Sequence, residues 1–64
     1  MEKYPKKMEK HMIQLYNSFP EDKKRIYAGL QSLGLGPGGE EYIADLFNCD
    51  IESIKKGKEE LKKL

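Results

Sequence analysis

Apolar residues recur along this chain at helical spacing, and four helices can be read from them. Met8, Met12, Leu15, Tyr16 and Phe19 are separated by four, three, one and three positions, which puts them on one helical face. That pattern predicts a first helix over Pro5–Asn17. Pro5 suits the first turn, where its missing N–H would have no helical partner. Ser18-Phe19-Pro20-Glu21 reads as a capping box opening a second helix, with the Ser hydroxyl and the Glu carboxylate each satisfying a backbone N–H. Ile26, Tyr27, Leu30 and Leu33 form its expected buried stripe, and Gly34 its expected stop. Leu35-Gly36-Pro37-Gly38-Gly39 cannot continue a helix and reads as a loop plugged by Leu35.

A short third helix is expected over Glu40–Phe47, with Tyr42, Ile43, Leu46 and Phe47 inward and two acids at its positive end. Asn48 is the residue type most able, after Gly, to take a left-handed turn. Asp50 is placed to cap a fourth helix running from Ile51 towards the end of the chain. Ile54, Leu61 and Leu64 mark its apolar side. Glu52 with Lys56, and Glu59 with Lys63, are i,i+4 pairs on its solvent side. No stretch alternates with period two for long enough to form a strand. The expected fold is therefore all-α: a single domain over residues 1–64, made of an N-terminal helix (1–19) and a three-helix core (20–64) with a small helix-turn-helix at 40–61.

Length limits what such a core can do. A chain of 64 residues buries only about 60% of the surface its unfolded form exposes, and chains this small usually lean on a staple or a partner. With one cysteine, Cys49, no internal disulfide can form, and with one histidine, His11, there is no zinc cage. No metal and no cofactor is expected. No apolar run approaches the ~18 residues of a membrane span, so no membrane partner is expected and a reducing, cytoplasmic setting fits best. The net charge of +1 hides an asymmetry: residues 1–33 carry seven Lys/Arg against four Asp/Glu, and residues 34–64 five against seven. A dedicated nucleic-acid binder is usually more basic.

The candidate chemistry is correspondingly narrow. His11 has no nucleophile beside it. The adjacent pairs Glu40-Glu41 and Glu59-Glu60 point in different directions on a helix and make no acid/base dyad. No catalytic residue, enzyme activity or small-molecule substrate is expected. Cys49 reads as a turn residue, because an acidic neighbour such as Asp50 raises a thiol pKa. Tyr16, Tyr27 and Tyr42 read as core; Tyr4 is open between core and base stacking. Gly38 and Gly39 precede a helix start and could offer backbone N–H groups to a phosphate, although the loop has no GxxxxGK[ST] pattern and no preceding strand.

The stronger signal is the tight connection between helices three and four. A helix-turn-helix needs a small residue in its first helix, a left-handed residue four further on, and apolar pins between the helices. Ala44, Asn48, and Ile43, Phe47, Cys49 and Ile54 fill those places. Gly57, inside helix four, costs about 1 kcal/mol relative to Ala and makes sense if another helix packs very close. On such a motif Ser53, Lys55 and Lys56 would reach DNA from the early part of the second helix. The other reading of the two lysines is a solvated pair partnering Glu52 and Glu59.

Three stretches in order carry a family resemblance: Arg25-Ile-Tyr-Ala-Gly-Leu-Gln-Ser-Leu-Gly-Leu-Gly-Pro-Gly-Gly, then Tyr42-Ile-Ala-Asp-Leu-Phe, then Ile54-Lys-Lys-Gly-Lys-Glu-Glu-Leu61. Together, over about residues 20–62, they resemble the N-terminal helix-turn-helix domain of ISAzo-type insertion-sequence transposases. The resemblance implies a module that grips transposon-end DNA ahead of a separate carboxylate-metal catalytic domain, whose carboxylates are absent here. The expectation is thus a cut-out domain or a remnant reading frame that cannot transpose. The chain also departs from the family at the turn, where Gly-x-Ser-Arg is common and Asn48-Cys49-Asp50-Ile51-Glu52 stands here. Two acids at the helix start suit the dipole but repel phosphate. The expected partner is double-stranded DNA, held weakly by one copy alone. The alternative is a protein-interaction or dimerisation module, a homodimer included, that has lost DNA affinity.

Overall fold

The computed structural model describes residues 2–64 and contains four helices: α1 (Lys6–Ser18), α2 (Glu21–Leu35), α3 (Gly39–Phe47) and α4 (Ile51–Lys62). No strand occurs among the described residues, and no helix is long and apolar enough to cross a membrane. The fold is small and all-α. α2, α3 and α4 pack on one another, most extensively α2 on α4, and α1 lies across α2 and α3.

The junction between α1 and α2 differs from the expected capping box. Ser18 is the last residue of α1, and its hydroxyl donates back to the Leu15 carbonyl at 2.7 Å. Pro20 explains why. Its ring disfavours the α conformation for the residue before it, so Phe19 is extended (φ −84°, ψ 149°) and α2 begins only at Glu21. Glu21 and Asp22 then occupy the first turn, where the helix dipole favours them.

α2 runs through Gly34, one residue further than expected, and stops at Gly36, whose φ of 77° is open to glycine. The extension brings Leu35 against the core. The buried face of α2 also differs from the expected stripe. Ala28, Gly29 and Ser32 face inward, while Leu30 and Leu33 are 50% and 55% exposed and Ile26 and Tyr27 are half-buried. Small residues occupy that face because two helices approach it at near-backbone contact, α4 at Gly29 and α3 at Ser32. A Cβ built on Gly29 would lie 2.7 Å from the Lys58 nitrogen, and one on Gly57 only 1.9 Å from the Arg25 carbonyl oxygen. The close crossing anticipated from Gly57 is present and uses two glycines: Gly29 faces the Gly57–Lys58 backbone, and Gly57 faces the Arg25–Ile26 backbone. Ser32, buried beside it, satisfies its hydroxyl by donating to the Gly29 carbonyl at 2.9 Å.

Ile43 and Ile54 are fully buried at the centre, with Met12, Ala28, Ala44 and Phe47 around them. α1 docks on this core through aromatic contacts. Tyr16 stacks on Phe47 with centroids 4.3 Å apart, Tyr27 lies 5.9 Å from Phe47, and Phe19 tilts on Tyr27 at 5.4 Å. Its other end is held by polar contacts. The Tyr4 amide donates to Tyr42 Oη at 3.1 Å, Tyr4 Oη donates to Gln31 at 3.1 Å, and the Tyr42 hydroxyl donates to Glu9. Two residues of the expected α1 face, Met8 and Leu15, are about half exposed, and Ile13 packs on the core instead. Leu64, expected on the apolar side of α4, lies beyond the helix and is 85% exposed.

Candidate nucleic-acid interface

The turn between α3 and α4 is built by Asn48, the one non-glycine residue with positive φ among those described (φ 53°, ψ 52°). This left-handed step lets the Cys49 amide donate to the Ala44 carbonyl at 3.0 Å, closing the end of α3. Asp50 follows in extended conformation at the N-cap of α4. Its carbonyl accepts from the Ser53 and Ile54 amides at 3.1 and 3.4 Å, but its carboxylate makes no capping hydrogen bond. The Asp50 side chain therefore acts on α4 through its charge rather than as a cap. Ile43, Phe47 and Ile54 are buried and Cys49 is packed against them, so the apolar pins expected of a helix-turn-helix are in place. Burial pushes the Cys49 thiol above its ordinary pKa, and the Asp50 charge adds to the rise. A thiol so placed is a weak nucleophile near neutral pH.

Ion pairs decide which face of α4 carries charge outward. Two ionic side chains on its flanks are tied to other helices. Arg25 of α2 grips Glu60 in a two-pronged contact, Nε to Oε1 at 3.0 Å and Nη2 to Oε2 at 3.1 Å. Lys58 Nζ lies 3.1 Å from Glu40 Oε2 of α3. The Arg25 hydrogen bond and charge hold the Glu60 carboxyl below its ordinary value, and the same bond raises Arg25. Neither pair was expected from local spacing, because each joins residues far apart in the chain. The expected pairs Glu52–Lys56 and Glu59–Lys63 are not within ion-pair distance among the described residues.

The remaining ionic residues of α4 and its C-cap, namely Glu52, Lys55, Lys56, Glu59, Lys62 and Lys63, are all exposed. That face carries four lysines against two glutamates, a local charge of +2 on a chain whose whole sum is +1. Ser53 sits half-buried in the first turn beside it.

The glycine loop does not join this face as a phosphate cradle. Gly39 is buried as the first residue of α3, and its N–H is already given to the Gly36 carbonyl at 2.9 Å. A Cβ there would lie 2.6 Å from the Ser32 carbonyl oxygen. Gly39 is thus a packing residue under α2. Gly38 is exposed with φ 85° and supplies the left-handed step that starts the helix. Glu40 and Glu41 follow in the first turn and further oppose an anion.

Away from α4, a shallow apolar groove on α1 is lined by Pro5, Lys7, Met8 and His11, with His11 Nδ1 3.2 Å from Gln14 Oε1. Among the described residues no cluster of three His, Cys, Asp or Glu side chains is placed to hold a metal ion. Comparison with protein-family models, with curated proteins and with solved structures finds no match to this chain.

Proposed function

We propose that this chain is a DNA-binding helix-turn-helix module whose α4 enters the major groove, as the resemblance to ISAzo-type transposase N-terminal domains implies. The observation that supports the reading is the outward face of α4. Its flanking ionic groups Lys58 and Glu60 are neutralised against Glu40 and Arg25, and Lys55, Lys56, Lys62 and Lys63 stand free towards solvent. In a helix-turn-helix the early residues of the second helix face base edges and the basic residues around them hold phosphates. Ser53 and Lys56 take the first role here, and Lys55 with the C-terminal lysines the second.

Affinity follows from the charge. Few net phosphate contacts correspond to a monomer dissociation constant on the order of 10⁻⁴ to 10⁻⁶ M, the range of sequence-independent binding at physiological salt. A salt titration of fluorescence anisotropy on a random duplex tests the proposal. Lys55→Ala and Lys56→Ala should each weaken binding and flatten the salt dependence by up to about one contact. Unchanged binding in both would remove α4 from the interface.

A second reading is favoured by a different observation. Leu30 and Leu33 on α2, with Met8 and Leu15 on α1, leave large apolar side chains about half exposed. A helix-turn-helix shape can serve protein contact as well as DNA. Concentration-dependent sedimentation that responds to Leu30→Ser and Leu33→Ser, with no duplex binding, would put the protein-interaction reading first.

A further inference from the structure

Glu52 and Glu59 are the two acids on a face proposed to approach a polyanion, and Glu52 is the one at its leading end. It lies in the first turn of α4, it is exposed, and no cation of the described residues lies within ion-pair distance of it. The acids on the protein-facing flanks, Glu40 and Glu60, are each engaged by a cation of another helix. Lys56, one turn further along the same face, is also exposed and does not reach back to Glu52. The outward face of α4 therefore presents a free acceptor and then, one turn later, free donors.

We infer that Glu52 is a specificity-determining residue that accepts a hydrogen bond from the N4 amino group of a cytosine in the major groove, with Lys56 donating to N7 and O6 of a neighbouring guanine. The inference rests on the DNA-binding reading above and adds to it a base preference. The helix dipole favours Glu52 in the first turn of the free protein, but a carboxylate near phosphate is repelled, so on approach to DNA its charge is offset only where it meets a donor. The major groove offers two, the amino groups of cytosine and adenine. Adenine presents its N7 lone pair beside N6, which faces a carboxylate with a second acceptor. The cytosine amino group has one acceptor beside it in its pair, guanine O6, whereas adenine N6 lies between its own N7 and thymine O4, so a carboxylate meets less repulsion at cytosine. The ammonium of Lys56 matches the paired acceptors of guanine by the same logic.

The test is selection of bound duplexes from a random pool at low ionic strength, using the full chain and its Glu52→Gln and Glu52→Ala variants. Glu52 is exposed, so both variants should keep the fold, which their circular dichroism checks. The full chain should enrich a C·G pair at one position. Glu52→Gln should move that position towards A·T, because an amide both accepts from N6 and donates to N7. Glu52→Ala should lose preference there while binding random duplex at least as well as the parent. Replacing the selected cytosine by 2-pyrimidinone, which lacks the amino group, should cost the full chain about fivefold or more in affinity and Glu52→Ala nothing. Sites without a position that responds to Glu52, with uniformly tighter binding by the variants, would show a merely repulsive charge and overturn this inference alone. Retention of no duplex by any of the three proteins would overturn the DNA-binding reading and the inference with it.

Discussion

Substituting Gly57 by Ala adds a single methyl group at the tightest point of the molecule. The new Cβ would sit 1.9 Å from the Arg25 carbonyl oxygen, 2.5 Å from its carbon and 3.2 Å from the Ile26 nitrogen. All three are backbone atoms of α2, so no rotamer change can make room. Restoring ordinary contact, which begins at 3.4 Å, requires α2 and α4 to part by about 1.5 Å at their crossing. That movement loosens the most extensive helix pair in the fold and pulls on the Arg25–Glu60 contact. Two effects compete. Ala gains about 1 kcal/mol of helix propensity over Gly, and overpacking typically costs about 1–3 kcal/mol, more when the backbone must shift. Because the clash is with backbone, the overpacking cost falls in the upper part of that range, and we expect a net loss of about 1–2 kcal/mol. For a domain this size that is a fall in Tm of at least about 4–8 °C. Gly34→Ala is the matched control: it lies in the same kind of helix with nothing within 4 Å of its Cβ position. It should gain about 0.4–1 kcal/mol. Thermal and urea melts followed by far-UV circular dichroism read both. Gly57→Ala as stable as Gly34→Ala would refute the reasoning, because the crossing would then have room that the geometry denies.

The remaining predictions concern single contacts. Glu60 has its folded-state pKa lowered by Arg25, so its contribution is present above the ordinary value of 4.5 and lost as pH falls through the lowered folded value. Glu60→Gln should therefore flatten the acid limb of a stability–pH profile, and an unchanged limb would show that the pair is not formed in solution. Ser18→Ala should change stability by no more than about 0.5 kcal/mol, since the hydroxyl returns to its own helix; a loss above 1 kcal/mol would reinstate the capping box. Cys49 should react with a thiol reagent at pH 7 more slowly than the same cysteine in urea, because burial raises its pKa; equal rates would show an open turn.

Local features of the sequence anticipated much of this structure. The four helices, the left-handed Asn48 and the close approach at Gly57 all depend on neighbours a few positions away, or on a residue type that fits one geometry. The α1–α2 junction departs from the local pattern because two local rules conflict there. Ser18 and Glu21 have capping-box spacing, yet Pro20 forces Phe19 out of the helix. The buried face of α2 departs from it for a different reason. Hydrophobic periodicity assigns burial to large apolar residues, but at a near-contact crossing the buried positions are Ala28, Gly29 and Ser32, chosen for size. In the candidate site, Ser53, Lys55 and Lys56 share the first turns of α4, while Gly38 and Gly39 serve the fold of a loop. The pairs Arg25–Glu60 and Lys58–Glu40, which set the charge of the α4 face, join distant parts of the chain and have no signature in local spacing.

The claim that α4 faces DNA is tested most directly by titrating isotope-labelled protein with a short duplex and following its amide resonances. If α4 faces DNA, Ser53, Lys55, Lys56, Glu59 and Lys63 shift progressively and the shifts shrink with added salt, while Leu30 and Leu33 on α2 stay in place. Shifts centred on α2 or α1 with α4 silent, or no salt-sensitive shifts at millimolar duplex, would contradict it.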